Sequence, residues 1–199
     1  MTSKRYDRAY FDRWYRHSAA RVTTAASRAR RARLAVAVVE QLLGRTLRSV
    51  LDVGCGEGAW RAPILALRPR ATYLGIDPSP YAVSRFGRAR NVTVGHFADL
   101  ARLPERRFDL VLSADVLHYL SDEEIRAGLP ELAARTGGAA YLPVFTTEDG
   151  VEGDLEGFHR RPAAWYRTAF RRSGLVGLGL SFWGAPGPAA ALPVLDART

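Results

Sequence analysis

The sequence holds one cysteine, Cys55, one methionine, and a single lysine, Lys4, among 29 basic residues. A lone thiol excludes an internal disulfide and fits a reducing compartment, so a cytoplasmic protein is expected. No run approaches the roughly 18 apolar residues of a membrane span. The amino end, MTSKRYDRAYFDRWY, lacks the apolar stretch of a secretory signal. Repeats and linkers are also missing. A chain of 199 residues then reads as one domain over 1–199, with a helical cap over 1–47 and a core over 48–199.

Acidic charge is scarce at one end. Residues 1–48 carry 12 basic side chains against Asp7, Asp12 and Glu40, so the formal charge of +9 sits there and the remainder is neutral. A solvated helical surface accounts for such a run; an acidic partner is the alternative.

Hydrophobic spacing predicts a helix over 5–17, where Tyr6, Tyr10 and Trp14 recur every four residues beside Phe11 and Tyr15. A second helix is predicted over 21–43, ending at Gly44. From Arg48 short apolar runs alternate with helical segments. Strands are predicted at Ser49–Val53, Ala71–Ile76, Asn91–Val94, Phe108–Ser113 and Ala139–Phe145. Ser79-Pro80 starts one intervening helix, and Ser121 with Glu124 forms a capping box on another that stops near Gly137-Gly138. A polar loop over 146–160 and a helix over 162–173 lead to strands at Leu175–Trp183 and Ala191–Leu195, split by a Gly/Pro turn at 184–188. Such alternation predicts an α/β fold, a parallel sheet with helices on both faces and one antiparallel edge strand.

The first strand runs into Gly54-Cys55-Gly56-Glu57-Gly58-Ala59, which satisfies the dinucleotide-binding pattern. Three carboxylates tilt the reading elsewhere. Asp52 precedes the turn, where it suits an ammonium group and sits awkwardly beside a pyrophosphate. Asp77 ends the second strand, 23 residues beyond Gly54, placed to accept from both ribose hydroxyls. Asp99 follows the third strand, within reach of an adenine amino group. Acidic residues at three successive strand ends suit a cationic, phosphate-free nucleoside, and S-adenosylmethionine is one.

Val50-Leu51-Asp52-Val53-Gly54-Cys55-Gly56-Glu57-Gly58 resembles the first motif of the class I S-adenosylmethionine-dependent methyltransferases. Tyr73-Leu74-Gly75-Ile76-Asp77-Pro78-Ser79 is similar to their second strand, and Phe108 to Leu120 to their fourth strand and following turn. The resemblance spans 48–145, and 162–195 suits the family's last helix and two strands. It implies a Rossmann-like, doubly wound, seven-stranded sheet of order 3-2-1-4-5-7-6 with two extra N-terminal helices. It also implies cofactor contacts at Asp52, Gly54, Cys55, Gly56, Gly58, Asp77, Pro78, Ser79, Asp99, Leu100, Ala114 and Asp115. The product would be S-adenosylhomocysteine.

Methyl transfer from a sulfonium gains much of its rate from alignment and water exclusion, and needs a base only when the acceptor must lose a proton. His118 is the base candidate, just beyond the fourth strand. Tyr6, Tyr10, Trp14 and Tyr15 form a candidate lid or acceptor wall, or pack on the sheet; Trp165-Tyr166 shares that ambiguity. The expected acceptor is a small molecule methylated on oxygen or nitrogen, with no metal required and the chain a monomer or homodimer. An RNA- or protein-directed enzyme using the Arg-rich helices is the alternative, disfavoured by the lack of an Asn-Pro-Pro-Tyr-type motif. A non-catalytic cofactor-binding protein is the other.

Overall fold

A computed structural model describes residues 6–16, 24–150 and 154–192. Seven strands form one sheet of order β3-β2-β1-β4-β5-β7-β6. They are β1 (Ser49–Val53), β2 (Thr72–Asp77), β3 (Val92–Val94), β4 (Phe108–Leu112), β5 (Thr136–Tyr141), β6 (Val176–Gly179) and β7 (Phe182–Gly184). The first five are parallel; β7 runs antiparallel to both β5 and β6. This is the Rossmann-like methyltransferase topology that the motifs imply.

Both faces of the sheet are covered, so its central strands are apolar on successive residues rather than alternate ones. Leu51, Val53 and Val111 enter one core layer with Ile125, Leu129 and Leu132 of α5 (Asp122–Arg135) and Phe170 of α6 (Ala163–Arg172). Val50, Leu110 and Leu112 point the other way, onto Ala32, Val36 and Val39 of α2 (Ala25–Leu43) and Ile64 of α3 (Arg61–Leu67). Asp52 shares the second face by its period-two spacing from Val50. The Arg-rich α2 is therefore an integral layer as well as a charged surface.

Caps follow local chemistry. Thr24 caps α2 by accepting from the Ser27 N–H, and Ser79 does the same for α4 (Pro80–Arg90) from Ala82. The Ser121/Glu124 capping box is present on α5.

Several boundaries differ from expectation. Helix α1 covers only Arg8–Phe11 and widens into a π-helical turn over Asp12–Arg16. Residues 5, 17 and 21–23 of the two expected N-terminal helices lie outside the described residues. Helix α5 runs to Arg135, and Gly137-Gly138 belong to β5. A Cβ at Gly138 would stand 2.5 Å from the Asp109 carbonyl oxygen, so this glycine serves strand contact rather than helix termination. The terminal hairpin is shorter and earlier than predicted. Leu180 (φ 49°) and Ser181 (φ 65°) turn it, supplying the two positive φ values of a tight hairpin without Gly or Asn. The expected Gly/Pro turn is instead α7 (Pro186–Ala190), with proline at its first turn. The expected strand at 191–195 is absent at 191–192, and 193–195 lie outside the described residues.

Candidate active site

At the carboxyl ends of the strands lies a cavity of about 900 Å³. Asp52, Gly54, Cys55 and Gly56 reach it from β1 and its turn; Asp77, Pro78 and Ser79 from β2; Ala114 and Asp115 from the turn after β4. These are the parallel strand ends where α/β sheets bind ligands.

The glycine turn is compact for a stated reason. Gly54 (φ 71°) and Gly56 (φ 54°) occupy left-handed backbone, and a Cβ at Gly54 would stand 2.6 Å from Val116 Cγ2. The first turn thus nests directly against the turn after β4. The Gly54 and Cys55 N–H groups both donate to the Ile76 carbonyl, the Gly56 N–H to Asp77 Oδ2 at 2.7 Å, and the Gly58 N–H to the Cys55 carbonyl. These amides are spent inside the protein, whereas a pyrophosphate-binding turn must offer them outward. The donor set fits a phosphate-free ligand.

Asp77 is held by the Gly56 amide and, through Oδ1, the Ser79 amide at 2.9 Å. Burial raises its pKa against those two hydrogen bonds. Asp52 is 1% exposed and accepts a 2.5 Å hydrogen bond from the Tyr73 hydroxyl. Burial pushes its pKa up to about 7, with the Tyr73 bond and the nearby Arg28 guanidinium opposing. Asp115 has φ 60° and pairs with Arg31 at 3.6 Å; burial raises its pKa and Arg31 opposes. Burial also raises the Cys55 thiol, so it stays protonated and inert.

Four sequence-derived candidates lie elsewhere. Gly58 faces Val92 and Arg90, where a Cβ would meet Val92 Cγ2 at 3.0 Å, so it packs the turn onto β3 instead of lining the cavity. Residues 97–102 form a 3₁₀ turn that carries Leu100 into the core and Asp99 outward to an ion pair with Arg102 at 3.3 Å. Gly95, His96 and Phe97 line the cavity in their place. His118 is 1% exposed and off the cavity wall. Its ring lies 4.3 Å from Tyr119, 4.9 Å from Phe158 and 5.4 Å from Phe145, with Nδ1 accepting from the Phe145 amide. A base must reach the acceptor's proton, and this buried ring is not among the residues that line the cavity.

Tyr6, Tyr10, Trp14 and Tyr15 all line the cavity. Their segment is docked by Phe11 stacking on Tyr81 (5.6 Å), by Arg16 on Glu57 (2.5 Å), and by the Tyr6 carbonyl accepting from Ser79 Oγ (2.5 Å). Arg28, Arg31, Tyr119, Glu124 and Asp154 also line it and escaped the sequence reading. Arg28 and Arg31 stand three apart on one helix face, but nothing in an Arg-rich run marks those two. Asp154 arrives by tertiary folding. Arg161, 5% exposed, anchors that loop through Asp122, the Leu120 carbonyl and Tyr166, while stacking on Trp165 at 4.7 Å. Tyr166 is therefore core and Trp165 supports Arg161.

The sheet has the Rossmann-like topology of class I methyltransferases, and the cavity lies at its carboxyl end. Residues 51–137 match a family model described as a methyltransferase domain. Uncharacterized methyltransferases of Mycobacterium bovis and Mycobacterium tuberculosis are 30% identical over 115 residues, 56% of this chain. The chain spans 57% of the length of those curated relatives. Magnesium protoporphyrin IX methyltransferase from Synechocystis, solved with S-adenosylhomocysteine, is 19% identical with TM-score 0.59, covering 90% of this chain and 94% of its own. An O-methyltransferase from neocarzinostatin biosynthesis, solved with S-adenosylhomocysteine and 1,4-dihydroxy-2-naphthoic acid, is 24% identical with TM-score 0.52 (65% of this chain, 44% of its own). No helix among the described residues is long and apolar enough to cross a membrane.

Proposed function

We propose that this chain is an S-adenosylmethionine-dependent methyltransferase acting on a small molecule held in the cavity, in the cytoplasm that its single cysteine suits. The observation that carries the reading is the glycine turn with its amides internally paired between two buried carboxylates, Asp52 and Asp77. S-adenosylmethionine combines an ammonium, a carboxylate, a ribose and no phosphate. Asp52 would take the ammonium, Arg28 beside it the carboxylate, and Asp77 the ribose. Pro78, Gly95, His96 and Phe97 replace Asp99 and Leu100 as the adenine surroundings. The cofactor supplies an electrophilic methyl group.

The chain's own residues do the rest. Asp115 and Ala114 border the site from the turn after β4, and Arg31 holds Asp115 in place. Tyr10, Trp14 and Tyr15 close over the cavity and exclude water, leaving alignment to do much of the catalytic work. A cavity of about 900 Å³ is within the range of small-ligand sites, which supports a small acceptor beside the cofactor. The solved neighbour carrying a dihydroxynaphthoic acid supports the same class. Two arginines of the basic helix, Arg28 and Arg31, line the cavity, which weakens the nucleic-acid alternative.

The test is incubation with methyl-labelled S-adenosylmethionine and a cell extract, separated into small-molecule, RNA and protein fractions. Label in the small-molecule fraction is the expected result. Label in RNA or protein instead would move the reading to a macromolecular acceptor. Cofactor binding with no label anywhere would identify a non-catalytic binder.

A further inference from the structure

A second cavity, of about 380 Å³, lies along one edge of the sheet and shares no lining residue with the first. Strand β6 ends the sheet there, pairing with β7 alone. The groove between this strand and α6 stays open because of what β6 lacks. Gly177 stands opposite Trp183, and a Cβ there would meet the indole Cζ3 at 3.4 Å. A larger side chain would occupy the space over the ring. Leu175, Val176 and Trp183 give the groove an apolar lining, and Arg167 and Arg171 of α6 line it from the helix.

This groove carries one sign of charge. Arg167 and Arg171 are exposed and one helical turn apart, so they share a face of α6. Neither guanidinium makes an ion pair or a hydrogen bond among the described residues. Like charges at that spacing disfavour a helix unless something offsets them. From Gly157 to Leu195 the chain has five arginines and no aspartate or glutamate, so no carboxylate of the same segment competes for them. Ser181 lines the groove as well; its carbonyl accepts from the Leu142 amide, and its hydroxyl is a further donor.

We propose that this groove binds a small phosphate monoester, its phosphoryl oxygens received by Arg167 and Arg171 and its organic group lying against Trp183. The site is independent of the methyltransferase reading. Charge count selects the ligand: a phosphate monoester carries close to two negative charges near neutral pH, matching two guanidinium groups, whereas a carboxylate matches one. The planar donor fork of arginine suits phosphoryl oxygens. The volume lies at the lower end of the range for small-molecule sites. The larger cavity is the poorer choice for such a dianion, since Asp52, Asp77 and Asp115 line it.

The experiment is a calorimetric titration of the full chain with phenyl phosphate, inorganic phosphate, phenylacetate and phenol. Phenyl phosphate should bind at least about tenfold tighter than any of the other three. Replacing both arginines, Arg167→Gln with Arg171→Gln, should erase that preference; both are exposed, and thermal melting should report an intact fold. Gly177→Val fills the groove and leaves its charge untouched, and it should weaken phenyl phosphate at least about tenfold. Gly177 is outside left-handed backbone, so a strand-forming residue is accepted there. Excess S-adenosylhomocysteine should leave the ester bound. Any of the other probes matching phenyl phosphate, or phenyl phosphate binding that survives the double arginine change, would overturn the assignment. Displacement by S-adenosylhomocysteine would put the ester in the larger cavity and overturn it too.

Discussion

The Tyr73 hydroxyl donates a 2.5 Å hydrogen bond to Asp52 Oδ2, joining β2 to β1 beneath the cavity. Strand register produces the contact: Asp52 pairs with Gly75, so Tyr73, two residues earlier, lies on the same face. Gly75 keeps that space open, since a Cβ there would stand 2.7 Å from Cys55 Sγ.

On the proposed reading, this pair makes S-adenosylmethionine binding a proton-linked event. Burial raises the Asp52 pKa to about 7 in the folded protein, above an unfolded value of about 3.9. The folded state therefore binds the extra proton, so Asp52 contributes stability that is fully present below about pH 4 and lost as pH rises through about 7. A bound ammonium favours the carboxylate and should expel that proton. Titration at about pH 6 in buffers of different ionisation enthalpy should register proton release with S-adenosylmethionine, and Asp52→Asn should remove it. Tyr73→Phe deletes a bond that favours the charged form, and should move the release to higher pH.

His118 is buried among aromatic rings, off the cavity lining. His118→Gln should lower the melting temperature, because it removes a ring buried among Tyr119, Phe145 and Phe158. The cost should fall within the ordinary range of about 0.5–3 kcal/mol. The pH dependence of kcat in the folded variant should keep its shape. Loss of a limb of that profile would restore the histidine to catalysis.

Gly128 lets α5 rest directly on the wall of the cavity. An alanine Cβ there would stand 2.3 Å from both Phe97 Cδ1 and the Phe97 carbonyl oxygen. Gly128→Ala should destabilise the protein by about 1–3 kcal/mol or more, measured by denaturant unfolding. The displaced Phe97 should also weaken cofactor affinity.

In the N-terminal segment Phe11, 2% exposed, stacks on Tyr81. Phe11→Ala should raise the dissociation rate of S-adenosylhomocysteine by at least about tenfold in stopped-flow measurements, equivalent to about 1.4 kcal/mol. Arg16→Ala should have a smaller effect that fades with added salt, because the arginine of the Arg16–Glu57 pair is partly exposed.

What the sequence made legible was local. Asp52, the glycines at 54 and 56, and Asp77 were readable because strand ends and their turns are contiguous in the chain, and the structure brings them together. Asp99 was misplaced because a 3₁₀ turn over 97–102 rotates successive side chains quite differently from a strand continuing into a loop. Leu180-Ser181 carries no turn signature, so the hairpin's position was hidden. Asp154 and Arg31 needed the third dimension. One comes from a loop anchored by buried Arg161, and the other is one of several arginines on a single helix.

The central claim is the identity of the bound nucleoside, and the most direct test is calorimetric titration with S-adenosylhomocysteine and with NADH. The account predicts binding of S-adenosylhomocysteine and none of NADH. It also predicts that Asp77→Ala weakens S-adenosylhomocysteine at least about tenfold, since hydrogen bonds to a charged group are worth about 1.5–3 kcal/mol. Binding of NADH without binding of S-adenosylhomocysteine would contradict it and make the glycine turn a dinucleotide site.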